Sequence, residues 1–393
     1  MRILSAWLVF YIIVFYCVLK VEATPKIEFW NQRRKGANYF NQLPTRERFE
    51  AGRELGLQFV RLAPDKWESA DRDFLIGNAD KYEAINEKDL NRLKKVLDDA
   101  DQLGLKVVMT MLGLPGARWK QNNNGKDDLR LWSNERYQRQ AIRFWQDLAK
   151  RLKAHPAVVA YDPLNEPHPA RALLDIDEVK SVVFSDWFTA SKGTVADLNR
   201  FNRRIVASIR EVDTTTPIVL ETYAYSSADG FRFLEPVTGD AILYSFHFYE
   251  PWSYTTKRVN NGRFAYPNRM PVGWSGNVER WTRTRLPQMM QPVVAWIDLH
   301  NVPANRIMVG EFGCNREMVG ARQYLADLIQ IFNGQKWHWA FYAYREDTWT
   351  GMDYELGTGK LGWKYWQAVE GGKQPEKLRG DNPLFDVLKR EFR

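Results

Sequence analysis

Two glutamates in this chain stand where a carboxylate can do chemistry. Glu166 lies in Asn165-Glu166-Pro167, directly after the apolar run 158–164, and Glu311 follows Ile307-Met308-Val309-Gly310. Short apolar runs of this kind read as strands buried on both faces. A carboxylate at the C-terminal end of such a strand is carried out of the sheet toward solvent. Two of them, on different strands of one barrel, point into a single cleft. A facing pair of carboxyl groups can break a glycosidic bond: one protonates the leaving oxygen, and the other attacks the anomeric carbon and becomes covalently attached.

The elements that must position this pair are legible as alternation. Strand candidates fall at Lys35–Tyr39, 58–62, 106–111, 158–164, Ile218–Glu221, Ile242–Phe248, Ile307–Phe312 and 339–344. Between them run stretches with apolar spacings of three and four, as at 89–103, 134–154 and 195–212, and Gly104 ends the first. Short strands alternating with helices predict an α/β fold with a parallel sheet. Eight of them, each followed by a helix, predict a closed (β/α)8 TIM barrel, a single domain with long βα loops. The stretches 167–194 and 250–277 interrupt the alternation, and both follow strands at their C-terminal ends, where a barrel builds its site.

Composition narrows the chemistry. Arg2, the apolar run 3–19 and Val21-Glu22-Ala23 have the form of an export signal, so residues 1–23 are expected to be cleaved and 24–393 to form the catalytic domain. A retained membrane anchor is the alternative, with the run at the short edge of what spans a bilayer. Cys17 leaves with the signal and Cys314 remains alone, so no intramolecular disulfide is expected. The net charge of +8 comes from Lys and Arg scattered among acids, as in Arg46-Glu47-Arg48, which argues against a nucleic-acid partner. Five His without a metal-ligand pair spacing argue against catalytic zinc. The chain also lacks a Gly-rich phosphate loop and a Gly-x-Ser-x-Gly elbow, which argues against phosphate-binding and serine-hydrolase readings. Sixteen Trp, 17 Tyr and 21 Phe suit a cleft that stacks on the apolar faces of sugars.

Five motifs, each at its own strand, resemble glycoside hydrolase family 5, the cellulase family, across most of the chain. They are Lys35-Gly36-Ala37-Asn38, Phe59-Val60-Arg61-Leu62, Leu164-Asn165-Glu166-Pro167, His247-Phe248-Tyr249 and Gly310-Glu311-Phe312-Gly313. The resemblance implies a retaining β-glycosidase with Glu166 as acid/base and Glu311 as nucleophile. It further implies that Arg61 and Tyr249 hold Glu311, that Asn165 bonds the substrate 2-hydroxyl, and that His247 lines the same subsite. Two positions depart from the family. Leu112 stands where a His is usual on the third strand, and Tyr342 stands where a Trp platform is usual on the eighth, with Trp349 in the next loop as the alternative platform.

The expectation is therefore an endo-β-1,4-glucanase of the cellulase type. It would act as a monomer on a β-linked polysaccharide or oligosaccharide, without metal or cofactor, in a secreted or periplasmic setting. A β-mannanase, another β-glycosidase (including one directed at glycolipids) and a non-catalytic glycan-binding barrel stay open as alternatives.

Overall fold

The apolar runs become strands that pair side by side, each parallel to the next, and close on themselves. In chain order the strands are β1 (Lys35–Tyr39), β2 (Phe59–Leu62), β3 (Lys106–Thr110), β4 (Val158–Asp162), β5 (Ile218–Glu221) and β6 (Ile242–Phe248). They continue with β7 (Asn268–Pro271), β8 (Val278–Trp281), β9 (Ile307–Phe312) and β10 (His338–Phe341). The barrel runs β1 to β6, then β9 and β10, and β10 pairs with β1 to complete it. These features belong to a computed structural model that describes residues 26–120, 123–172, 181–239, 241–273, 276–373, 375 and 377–393. The expected signal, residues 1–23, lies outside the described residues. Among those described, no helix is long and apolar enough to cross a membrane.

Several boundaries differ from the sequence reading for identifiable reasons. Strand β4 stops at Asp162, two residues before the end of the apolar run, because Pro163 has no amide to give the ladder. Strand β10 starts one residue earlier and ends three residues earlier than expected. The helix Glu87–Gln102 is capped by the side chain of Asn86, which accepts from the amides of Lys88 and Asp89. Asn134 caps Glu135–Leu152 and Asp197 caps Leu198–Arg210 in the same way.

The expectation of a helix after every strand fails once. Between β5 and β6 the described residues make only the four-residue turn Tyr223–Ser226 and the 3-10 segment Ala228–Phe233. Ser226, Ser227, Asp229 and Gly230 are turn formers that break the segment, which still buries Tyr223, Ala224, Ala228 and Phe231 in the core. The excursion after β6 also holds structure that periodicity did not announce, the antiparallel pair β7–β8.

Two cores hold the cleft rigid. Leu90, Leu93, Leu97, Phe144, Trp145, Phe201 and Ile205 bury the helical faces against the outside of the barrel. Inside, Phe59, Val108, Val159, Val219, Leu243 and Met308 fill the lower layers, and Trp30 closes that end with its indole donating to the Val159 carbonyl at 3.1 Å. With its lower layers packed, the barrel leaves only its upper mouth for polar side chains.

Candidate active site

A buried guanidinium organises the mouth. Arg61, in β2, has no exposed side-chain surface and donates to residues of β1, β3, β5, β9 and the end of β4. Its Nε reaches Asp162 at 2.7 Å, one Nη reaches Glu311 at 2.8 Å and Asn38 at 3.2 Å, and the other reaches Asn165 at 2.9 Å and the Glu221 carboxylate. Burial alone would lower its pKa, but Asp162, Glu221 and Glu311 outweigh burial and raise it. A buried charge of this kind is tolerable only because its donors are satisfied by carboxylates and amide oxygens.

Glu311 ends β9 with both carboxylate oxygens engaged. Oε1 accepts from Arg61, and Oε2 accepts from the Tyr249 hydroxyl at 2.8 Å. Gly310 precedes it for a steric reason: a Cβ there would crowd the Ser245 hydroxyl and come within 3.1 Å of His247 Nε2. Strand β6 brings His247 level with Glu311 in the ladder.

Glu166 lies just beyond β4 in a left-handed backbone conformation, φ 52°, that non-glycine residues rarely adopt. Its amide donates to Glu221 at 2.6 Å, and its Oε1 lies 2.9 Å from His247 Nδ1. Burial raises the Glu166 pKa, and Glu311 and Glu221 add to the rise against the pull of His247. Beside Glu166 opens a cleft of about 400 Å³ lined by Trp119, Trp132, His168, Arg171 and Tyr225, with Trp119 and Tyr225 stacked 5.7 Å apart.

His247 is the hinge between the two glutamates. Its Nδ1 lies 3.8 Å from Glu311 Oε2, and its Nε2 lies 3.3 Å from Glu221 Oε1. Burial works against the imidazolium, but Glu311, Glu221 and Glu166 together push its pKa up to about 10. Glu166, His247 and Glu311 present ligand-type atoms within 4.8 Å of one another.

A family model decides the kinship. Cellulase (glycosyl hydrolase family 5) matches residues 23–348. The chain belongs to glycosyl hydrolase family 5. Endoglucanase C of Acetivibrio thermocellus is 24% identical over 241 residues, which cover 61% of this chain and 60% of that protein. The family 5 chain thus spans about 60% of the length of that relative. A solved hyperthermophilic endo-β-1,4-glucanase in complex with substrate shares the fold at a TM-score of 0.62 and 17% identity, covering 93% of this chain and 99% of that one. Thermotoga maritima Cel5A in complex with mannotriose shares it at 0.59 and 16% identity, covering 84% and 94%.

All the expected site residues of this family 5 chain except Trp349 converge within the mouth. Tyr342 is buried beside Phe40, and Trp349 is half-exposed at the rim, its ring 6.1 Å from that of Tyr342. Leu112 joins Phe40, Ala63, Tyr342 and Ala343 in an apolar wall where the family pattern places a His. Sequence reasoning missed Glu221, Asp162 and Ser226. Glu221 carried a usable signal, since it closes an apolar strand just as Glu311 does. Cys314 is buried, with its thiol pushed up by burial.

Proposed function

We propose that the chain hydrolyses β-glycosidic bonds with retention of configuration, with Glu311 as nucleophile and Glu166 as general acid/base. The observation that carries this reading is the facing pair itself. Carboxylate oxygens of Glu166 and Glu311 lie within 4.8 Å of each other. Retaining enzymes hold the two carboxyl groups about 5–5.5 Å apart, and inverting ones about 6.5–9.5 Å apart to admit a water. The two environments are also unequal, as the mechanism requires. Arg61 and Tyr249 donate to the two oxygens of Glu311, while burial favours the protonated form of Glu166.

In the first step the Glu311 carboxylate bonds to the anomeric carbon. The bond to the leaving oxygen breaks, its electron pair stays on that oxygen, and Glu166 supplies the proton. In the second step Glu166, now a carboxylate, takes a proton from water. The water oxygen bonds to the anomeric carbon, and Glu311 is released. Asn165, held by Arg61 through its Oδ1, has its amide nitrogen left for the sugar 2-hydroxyl. The substrate we favour is a β-1,4-glucan cleaved internally, in keeping with the endoglucanases among the relatives. The apolar run 3–19 supports export of the enzyme.

A β-mannan is the second reading, favoured by Leu112 and Tyr342, which change the polar and aromatic contacts next to the catalytic sugar. A panel of β-1,4-glucan, β-1,3-glucan, mannan and xylan, read by product size, separates the two. The expected result is fastest release of short oligosaccharides from β-1,4-glucan, and mannan as the preferred substrate would sink the glucanase assignment.

The sugar platform gives a second test. Tyr342, deep in the mouth, should act on the transition state, so Tyr342→Ala is expected to lower kcat. Trp349, at the rim, should contribute uniform binding of about 1 kcal/mol, so Trp349→Ala is expected to raise KM roughly fivefold. The reverse pattern would put Trp349 at the catalytic sugar.

A further inference from the structure

A further carboxylate lies behind the two that face the cleft, and neither step of the hydrolysis consumes it. Glu221 ends β5, and its side chain has no exposed surface. Four groups converge on it. Arg61 donates to Oε1, the Glu166 amide and the Ser226 hydroxyl donate to Oε2, and His247 Nε2 lies 3.3 Å from Oε1. That last contact is an ion pair rather than an aligned hydrogen bond, and His247 Nε2 has no other partner among the described residues. The turn that delivers Ser226 is itself strained: Ala224, Tyr225 and Ser226 are three consecutive non-glycine residues at φ between 52° and 58°. Backbone of this kind costs on the order of 1–3 kcal/mol per residue and persists where surrounding contacts fix it.

We infer that Glu221 is a positioning residue for the acid/base side of the site, holding His247 as a two-proton donor and the Glu166 backbone in its left-handed turn. The inference rests on the proposed role of Glu166. Its consequence is directional. An imidazolium has protons on both nitrogens and no acceptor, so Nδ1 can only donate to Glu166 Oε1. Oε1 is then an acceptor in both protonation states of Glu166, and the transferable proton sits on Oε2. A neutral imidazole could instead accept the Glu166 proton at Nδ1 and turn it away from the leaving oxygen.

The other groups facing His247 do not make Glu221 redundant. Glu166 must be neutral at the start of each cycle, and Glu311 loses its charge when it carries the sugar. Asp162 is buried against Arg61 Nε, and Arg61 itself opposes a second cation. Tyr249, on the Glu311 side, stays a neutral phenol because burial raises its pKa well above the usual value. Glu221, unlike Glu166 and Glu311, keeps its charge through both steps, and burial raises the pKa of Asp162 to about 7. Glu221 can remain ionised: although burial works against the anion, His247 and Arg61 bring its pKa down to about 2.

The test is the titration of the His247 imidazole, followed by nitrogen NMR of protein carrying labelled histidine. Five His are present, and His247→Gln assigns the signal by its loss. In the unaltered protein His247 should remain doubly protonated through pH 8. In Glu221→Gln its midpoint should fall by about 1–3 pH units, the shift expected when one adjacent opposite charge is removed. Glu221→Asp keeps the charge but withdraws it, so its midpoint should fall by less, and this variant serves where the amide variant does not fold. A His247 midpoint in the ordinary imidazole range in the unaltered protein would overturn the inference. So would midpoints in the Glu221 variants that match the unaltered one. The measurement uses no substrate. Absence of glycosidase activity would therefore sink the role of Glu166 without moving this titration, and an ordinary His247 in an active enzyme would sink Glu221 alone.

Discussion

Glu311→Ala is expected to lower turnover on every glycoside by roughly 10⁵-fold or more, the scale on which an enzyme loses a nucleophile while keeping its binding groups. Nothing nearby can replace it. Glu221 and Asp162 are fully buried against Arg61, and neither can approach an anomeric carbon. The variant also leaves Arg61 and Tyr249 donating into an empty space, which suits a small anion. Added azide should therefore restore part of the rate and give the glycosyl azide of inverted configuration, because it attacks from the side Glu311 vacated. Checking requires only the initial rate with and without azide and the configuration of the product. A residual rate above about 1% without azide would remove Glu311 from the nucleophile role.

Glu166→Ala should show a loss that depends on the leaving group. General acid–base assistance contributes about 10²–10⁴-fold. The full loss is expected on an oligosaccharide, whose leaving alkoxide must be protonated as it departs. On a dinitrophenyl glycoside the leaving group is stable as an anion, so the first step should proceed nearly as before. The second step, which needs Glu166 as base, then becomes limiting. The pH profile should change as well. Glu166 acts in its protonated form and its pKa is raised, so kcat/KM on the oligosaccharide should fall on the alkaline side as that proton is lost. In Glu166→Ala the alkaline limb should vanish on the activated substrate. An equal loss on both substrates, with the limb intact, would take the acid role away from Glu166.

What the sequence could tell about this site was local. Each strand exit was readable from a short apolar run followed by Gly-Glu or Asn-Glu-Pro, and parallel strands in chain order are enough to bring such exits together. The barrel and the two glutamates were therefore legible, whereas Arg61, Asn165, His247 and Tyr249 were reached only through resemblance to the family 5 motifs. Contacts that depend on the angle around the barrel were not. Glu221 reads as the last residue of an ordinary strand, and only closure of the sheet reveals that Arg61 and His247 reach it from β2 and β6. The left-handed turns at Glu166 and at 224–226 left no trace either, because the usual mark of positive φ is glycine and none stands there. The long excursion after β6 was seen as a loop, but its short, largely polar strands β7 and β8 carry too little apolar alternation to be recognised. At the eighth strand, sequence offered Tyr342 and Trp349 as rival platforms. The fold separates them by depth, one buried and one at the rim.

Retention rests on the separation of two carboxylates, and the stereochemistry of the product tests it most directly. Proton NMR of a cello-oligosaccharide digest, recorded within the first turnovers and before mutarotation, reads the configuration at the newly formed reducing end. With Glu166 and Glu311 oxygens within 4.8 Å, direct attack by Glu311, followed by water on the face the leaving group left, predicts the β-anomer first. An initial α-anomer would mean that water, not Glu311, attacks the sugar, and the nucleophile assignment would have to be abandoned.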